Sequence, residues 1–383
     1  MSAWPIDLIG VIPVLVWIYL LTARGAFWRV SSGREALPAP PPRRVVVLIP
    51  ARNEAALIGA AVTSLARQVF DGFVRLIVID DGSTDETVAA AAAAADASGA
   101  ASRFTVIRGA GLPPGWTGKL WALSQGLAAA TQFDPDYLLF TDADVCHDPA
   151  SLATLVATAE AGQRDLVSHM VRLSTARFAE RLLIPAFVFF FFMLYPPAWV
   201  AAPGRRTAAA AGGCLLIRPG ALARIGGLEA IRSRIIDDCA LARAVKESGG
   251  RVWLGLARDS RSLRSYDSFA GIGAMISRTA FAQLGHSWLL LAATLLALFL
   301  TYLLPVVLLF ADDAVARWLG VGALLLMSWC YLPMIRFYEL FPLRSVGLPV
   351  IAAFYLGAVI HSAVQHARGR GGRWKGRVQD GAE

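Results

Sequence analysis

Charge is scarce in this chain. Of its 383 residues, 17% are Asp, Glu, Lys or Arg, and 56% are hydrophobic. A soluble globular chain is nearer a quarter charged, so a wholly soluble protein does not fit. Cysteine is scarcer. Cys146, Cys214, Cys239 and Cys330 form no Cys-x-x-Cys pair and match no zinc spacing. That excludes a disulfide framework or structural zinc, and the thiols read as reduced and incidental. No aromatic-basic RNA-binding motif occurs either, so the net charge of +8 does not point to nucleic acid. In so apolar a chain, a basic excess suits segments beside anionic lipid.

Apolar runs are what the chain has in quantity. Residues 6–21, "IDLIGVIPVLVWIYLL", are followed by Arg24, Arg29, Arg34, Arg43 and Arg44. A cleavable signal peptide has the reverse order, so residues 1–24 read as a transmembrane anchor with its C-terminal side in the cytoplasm. Residues 25–42 form a linker ending in the stiff "PAPPP". Near the C-terminus, 288–310 and 318–335 are long enough to span a bilayer, and 346–364 is marginal. Within 287–366 these are the expected membrane helices. The basic tail is 367–383. Three crossings would put that tail outside, against the positive-inside tendency, so either the last segment is re-entrant or the tail is an exception. The run at 182–202 carries Pro185, Pro196 and Pro197. A crossing there would separate "IIDD" from Asp142. It reads as an interfacial or re-entrant segment pressing its domain onto the bilayer.

Residues 43–286 have another character. "RVVVLIPA", "VRLIVIDDGS", "RFTVIRG" and "DYLLFTDAD" read as buried strands, with helical patterns between them. Strand-helix alternation predicts an α/β domain with a mostly parallel sheet covered on both faces. Ligands bind such sheets at the C-terminal strand ends, where Asp80-Asp81 and Asp142-Ala143-Asp144 fall.

Each polar cluster at a strand end has two readings. Asp142 and Asp144 suit a divalent cation, Mg2+ or Mn2+, which in turn holds a diphosphate; they equally suit a surface turn. Asp80 and Asp81, with Asn53 and Glu54, suit a nucleotide or a capped loop. Lys119 in "GWTGKLWA" suits a phosphate at a helix start, or solvent. Asp237 and Asp238 precede a helix and suit a general base or an N-cap. His147 and Asp148 read mostly as the turn that follows the aspartates.

In order and spacing, "IPARNE", "VIDDGSTDET", "TDAD", "GGCLLIRPGAL" and "DDCAL" resemble the family 2 inverting glycosyltransferases with the nucleotide-sugar-binding GT-A fold. The membrane layout looks like the ceramide and carotenoid glucosyltransferase branch. "GWTGKLWA", "SRTAFAQL" and "RGGRWKGR" most resemble the hopene-associated glycosyltransferases. The resemblance implies an integral inner-membrane enzyme with a cytoplasmic catalytic domain. It would move a hexose from a nucleoside diphosphate sugar, uridine-linked by family analogy, to a lipid hydroxyl such as that of a hydroxylated hopanoid.

The same resemblance implies site roles. Pro50, Arg52, Glu54, Asp80, Asp81 and Asp142 would line the nucleotide-sugar pocket, with Lys119 near the diphosphate. Asp142 and Asp144 would hold the metal. Gly212, Gly213 and Cys214 would form the acceptor-side loop. Asp238 would be the base, beside Asp237 where the family usually has Glu. The family's Gln-x-x-Arg-Trp motif is broken. "MISRT" keeps only Arg278, which argues against a processive synthase. Trp374 and Arg377 are candidate diphosphate contacts from a cytoplasmic tail. A polyprenyl-phosphate glycosyltransferase, or a non-catalytic lipid-binding or translocating protein with a degenerate transferase domain, are the alternatives.

Overall fold

The computed structural model describes residues 4–30, 37–371, 373–374 and 377–378, with side chains described only between Ile9 and Gly371. These group into two compact units. One is built on a sheet and comprises residues 37–174 and Trp199–Arg264. The other is helical and comprises Met1–Val30, Thr175–Ala198 and Ser265–Asp380.

The sheet unit has eight strands: β1 (Arg44–Ala51), β2 (Phe73–Asp80), β3 (Phe104–Arg108), β4 (Tyr137–Thr141), β5 (Val145–Cys146), β6 (Leu166–Arg172), β7 (Cys214–Ile217) and β8 (Val252–Ser262). Their order is β3-β2-β1-β4-β7-β6-β8-β5. From β3 to β4 all neighbours are parallel, as the alternating pattern predicts. Val45 to Ile49 in β1 are fully buried, because helices cover both faces of a parallel sheet. Beyond β4 the sheet is mixed. β7 runs antiparallel to β4 and β6, and β5 antiparallel to β8, while β6 and β8 are parallel. Four apolar residues, "CLLI", carry no sign of direction, so this half could not be oriented from the sequence.

Register brings the polar loops together. Ala51 pairs with Asp80 and Leu48 with Phe140, so β1, β2 and β4 end side by side. β7 starts at Cys214 opposite Thr141, which delivers the Gly212-Gly213 turn to the Asp142–Asp144 turn. Ser168 in β6 fixes that approach. Its hydroxyl accepts from the Ala211 N–H (2.8 Å) and lies 3.1 Å from the Ala211 and Cys214 carbonyls.

The helical unit contains Trp4–Thr22, Phe178–Leu194, Phe269–Gln283, Trp288–Leu298, Ala314–Phe337 and Leu348–Ala367, among others. Among the described residues, Phe178–Ala201, Trp288–Leu308, Ala314–Phe337 and Pro342–Ala367 are long and apolar enough to cross a membrane. Two differences from the sequence reading stand out. The 346–364 run sits in a longer stretch than expected. Pro185 lies inside an unbroken helix, as apolar surroundings allow, and the break falls later, at Tyr195-Pro196. Phe189, Phe190 and Phe192 are buried in the helical unit, whereas Phe178 at the helix start is 67% exposed. Phe189 packs on Phe27 and Tyr331, and Phe190 on Tyr302 and Tyr355. Trp17 donates to the Thr301 carbonyl (3.0 Å), and Glu180 accepts from the N–H groups of Arg177 and Tyr266, closing the helix start.

Candidate active site

The first loop pair is laced by short bonds. Asn53, with φ +52°, accepts from the Thr84 N–H (2.8 Å), and its own N–H donates to Ser83 Oγ (3.0 Å). The Glu54 N–H donates to Thr87 Oγ1 (2.8 Å). Asp80 accepts from the Ser83 N–H (3.0 Å), while Arg52 Nη1 donates to the Asp81 carbonyl (2.7 Å) and lies 3.6 Å from its carboxylate. Asp80 and Asp81 are buried, and so is Arg52 Nε, which has no hydrogen-bond partner among the described residues. Pro50 lies on β1 directly before this loop.

Lys119 joins the two later acidic pairs. It stands at the start of helix Gly118–Ala130, where the helix dipole disfavours a cation by about 0.3–1 kcal/mol. Asp142 at 2.7 Å and Asp237 at 3.8 Å offset this. Burial works against the Lys119 charge, but the two aspartates overcome it and hold the ammonium well above its ordinary value. Gly126 lets this helix lie close on the sheet, since a Cβ there would come within 2.8 Å of Ile79 Cδ1. Sequence reasoning placed Lys119 at a phosphate; its partners here are carboxylates.

Arg264 makes the corresponding link on the other side. It lies just past β8, where its Nε meets Asp144 Oδ2 and its Nη2 meets Glu54 Oε1, both at 2.6 Å. Burial, with the Asp142 charge adding to it, raises Asp144 above the usual carboxylate range, and Arg264 opposes the shift. Sequence reasoning missed this arginine. "RDSRSLRS" offers three candidates, and only the strand end singles one out.

Asp238 sits in the first turn of helix Asp237–Glu247, but it caps nothing in the usual way. Its Oδ2 accepts from the Gly212 N–H (2.8 Å) and its Oδ1 from the Cys239 N–H (2.7 Å). Burial and the neighbouring Asp237 charge push its pKa up to about 6, with Lys119 and the two N–H groups pulling the other way. That suits a proton acceptor working near neutrality. Gly212 is required by space, because a Cβ would lie 3.0 Å from Lys119 Nζ and 3.3 Å from Asp238 Oδ2. A small cavity of about 20 Å3 opens beside Lys119, Asp237 and Asp238, otherwise lined by residues such as Phe140, Leu228 and Leu241. It has room for about one water.

The remaining candidates fall elsewhere. The Cys214 side chain is buried in the sheet core, with its thiol pushed up to about 12 by burial, so Gly212 and Gly213 form the loop edge. His147 is more than a turn. It is buried, its Nε2 lies 2.8 Å from Thr141 Oγ1, and Thr141 Oγ1 donates to the Gly213 carbonyl (2.9 Å). Burial, helped by His169, lowers its pKa to about 4 and keeps it neutral. Since the threonine proton is committed to Gly213, His147 donates from Nε2. Asp148 caps the Ala150 N–H (2.9 Å). Arg278 is an exposed residue of helix Phe269–Gln283 in the helical unit. Arg373–Trp374 and Arg377–Val378 pair as a two-stranded ladder, and the side chains of Trp374 and Arg377 lie outside the described residues.

Residues 46–225 match the model of the family described as "Glycosyl transferase family 2". No curated protein matches the chain. Among solved structures it is similar to the mannosyltransferase PcManGT from Pyrobaculum calidifontis in complex with GDP-Man and Mn2+. The TM-score is 0.54 at 18% identity, covering 93% of this chain and 98% of that one. A weaker likeness, TM-score 0.41 at 21% identity, is to glucosyl-3-phosphoglycerate synthase from Mycobacterium tuberculosis with Mg2+ and uridine-diphosphate, over 63% of this chain and 79% of that one.

Proposed function

We propose that this family 2 glycosyltransferase of the GT-A fold, whose residues 46–225 carry the family match, transfers a hexose with inversion from a nucleoside diphosphate sugar to a lipid hydroxyl. The observation that carries the reading is the run of alternating charge Glu54–Arg264–Asp144 and Asp142–Lys119–Asp237, which ends beside Asp238 on the Gly212 N–H. Membrane-length apolar stretches in the same chain support a lipid acceptor. A soluble acceptor gives no reason for them.

The donor site fits a hard divalent cation, Mg2+ or Mn2+. Asp142 and Asp144 offer carboxylate oxygens, and each already faces a cationic side chain. No group of three or more His, Cys, Asp or Glu gathers among the described residues, so the remaining ligands would be diphosphate and water, as is usual for Mg2+. When bound, the cation offsets charge on the departing diphosphate. Asp238 takes the proton of the acceptor hydroxyl. That oxygen attacks the anomeric carbon from the face opposite the diphosphate. The bond to the diphosphate breaks, its electron pair leaves with the nucleotide, and the product is an inverted glycoside.

The test is mass spectrometry of membrane lipids incubated with purified protein, Mn2+ and UDP- or GDP-hexose. Hydroxylated hopanoids are the first acceptors to try. The expected product is a glycolipid stable to mild acid. A labile phosphodiester would identify a polyprenyl phosphate acceptor instead, and transfer to water-soluble acceptors alone would sink the lipid assignment.

A further inference from the structure

Each carboxylate of the Asp142–Asp144 turn already has a cationic partner, Asp144 buried and Asp142 with its side chain 39% exposed. Arg264 bridges Asp144 and Glu54, whose side chains are 11% and 10% exposed, and Lys119 holds Asp142. Charge-assisted bonds of 2.6–2.7 Å are strong, and carboxylates as buried as Asp144 and Glu54 are costly without a cation. A metal ion arriving alone would compete with Lys119 and Arg264 for Asp142 and Asp144 and would be repelled by both cations. A diphosphate arriving alone would meet Asp142, Asp144, Asp237 and Asp238. A divalent cation with a diphosphate is close to neutral as a pair and can enter without either penalty.

We propose that Arg264 and Lys119 are resident counter-cations, and that metal and nucleotide enter by joint exchange. The metal takes Asp142 and Asp144, and the two released side chains turn to the diphosphate oxygens. The inference rests on the donor site assigned above. Arg264 is the more telling partner, because it also holds Glu54 at the mouth of β1. It is a positioning residue before the donor binds and a donor ligand afterwards. No bond is made or broken; the charges re-pair, and the site never holds a bare buried carboxylate.

The experiment is Mn2+ titration of the purified full chain, with free Mn2+ read by electron paramagnetic resonance, alone and with saturating UDP or GDP. Nucleotide is expected to tighten Mn2+ by about tenfold or more, and Mn2+ to tighten nucleotide by the same factor. Arg264→Gln is expected to bind Mn2+ alone several-fold more tightly than wild type and to lose most of the coupling. Arg264→Lys keeps the charge but has one nitrogen for the two carboxylates, and should weaken Mn2+ binding alone as wild type does while losing part of the coupling. Equal Mn2+ affinity with and without nucleotide in the wild type would overturn the exchange, and that measurement needs no variant to fold. If nucleotides bind but Arg264→Gln leaves Mn2+ affinity unchanged, the donor site stands and the exchange falls. If no nucleotide binds, the donor assignment falls and the joint exchange falls with it.

Discussion

Replacing Asp238 with Asn should remove transfer and leave the protein at least as stable at neutral pH. In the folded chain this carboxyl titrates at about 6 instead of its ordinary 3.8. A shift of that size corresponds to about 3 kcal/mol by which folding disfavours the ionised form. The sign follows from linkage. Above pH 6 the wild type carries the full cost, between 6 and 4 the cost fades, and below 4 both states are protonated. Asn removes the charge. It keeps one acceptor for the Gly212 and Cys239 N–H groups and loses the other, at about 1–3 kcal/mol. Transfer is expected to fall by about a hundred- to ten-thousand-fold with the base gone. The assay is thermal melting of both proteins from pH 4.5 to 8, alongside initial rates. Wild type has an opposing trend, because buried His147 and His169 titrate near 4 and lose stability as pH falls below their ordinary 6.5. The difference between the two proteins cancels that trend and isolates Asp238. The Asn variant should melt as high or higher at pH 8, with its advantage shrinking toward pH 4.5. A lower melting point at pH 8 that recovers in acid, or full turnover, would refute the reasoning.

Other outcomes follow from the same geometry. Wild-type kcat/KM should fall on an acid limb with an apparent pKa near 6, reaching about a tenth of its plateau at pH 5; a flat profile across that range would move the base elsewhere. Gly212→Ala puts a methyl 3.0 Å from Lys119 Nζ, and should cut kcat by about tenfold or more while nucleotide binding, read by calorimetry, changes little. His147→Leu leaves Thr141 without its donor and should cost about 1–3 kcal/mol in chemical denaturation; unchanged stability would show the contact to be idle. Leu325→Arg, 66% exposed near the middle of Ala314–Phe337, should impair membrane insertion by about 2.5–3.5 kcal/mol, measured by carbonate-resistant membrane association.

The first half of the sheet was legible because its strands are apolar on both faces and alternate with helices. β5 and β7 were not, being too short to carry direction. Asp142, Asp144 and Lys119 were singled out by their place at element ends, yet the ion pairs they make depend on register and helix packing. Glu54 was legible while its partner Arg264 was not, since 210 residues separate them and arginines are common in between. His147 was misjudged because a buried histidine and a turn histidine look alike in a sequence. Only the closed shell of Thr141, Ser64 and Ser151 around it tells them apart.

The order of the chain also sets the order of its assembly. Asp142 and Asp144 are synthesised before the membrane-length stretch Phe178–Ala201, whereas Gly212, Asp238 and Arg264 come after it. β4 waits for β7, and β6 for both β7 and β8. At about 5–20 residues per second, the roughly one hundred residues between Asp142 and Asp237 take about 5–20 s to appear. During that interval the nascent chain has an unpaired β4 edge, and Asp144 lacks Arg264 while Asp142 already has Lys119. The middle of synthesis, when β4 and β6 lack β7, is therefore the period of greatest exposure.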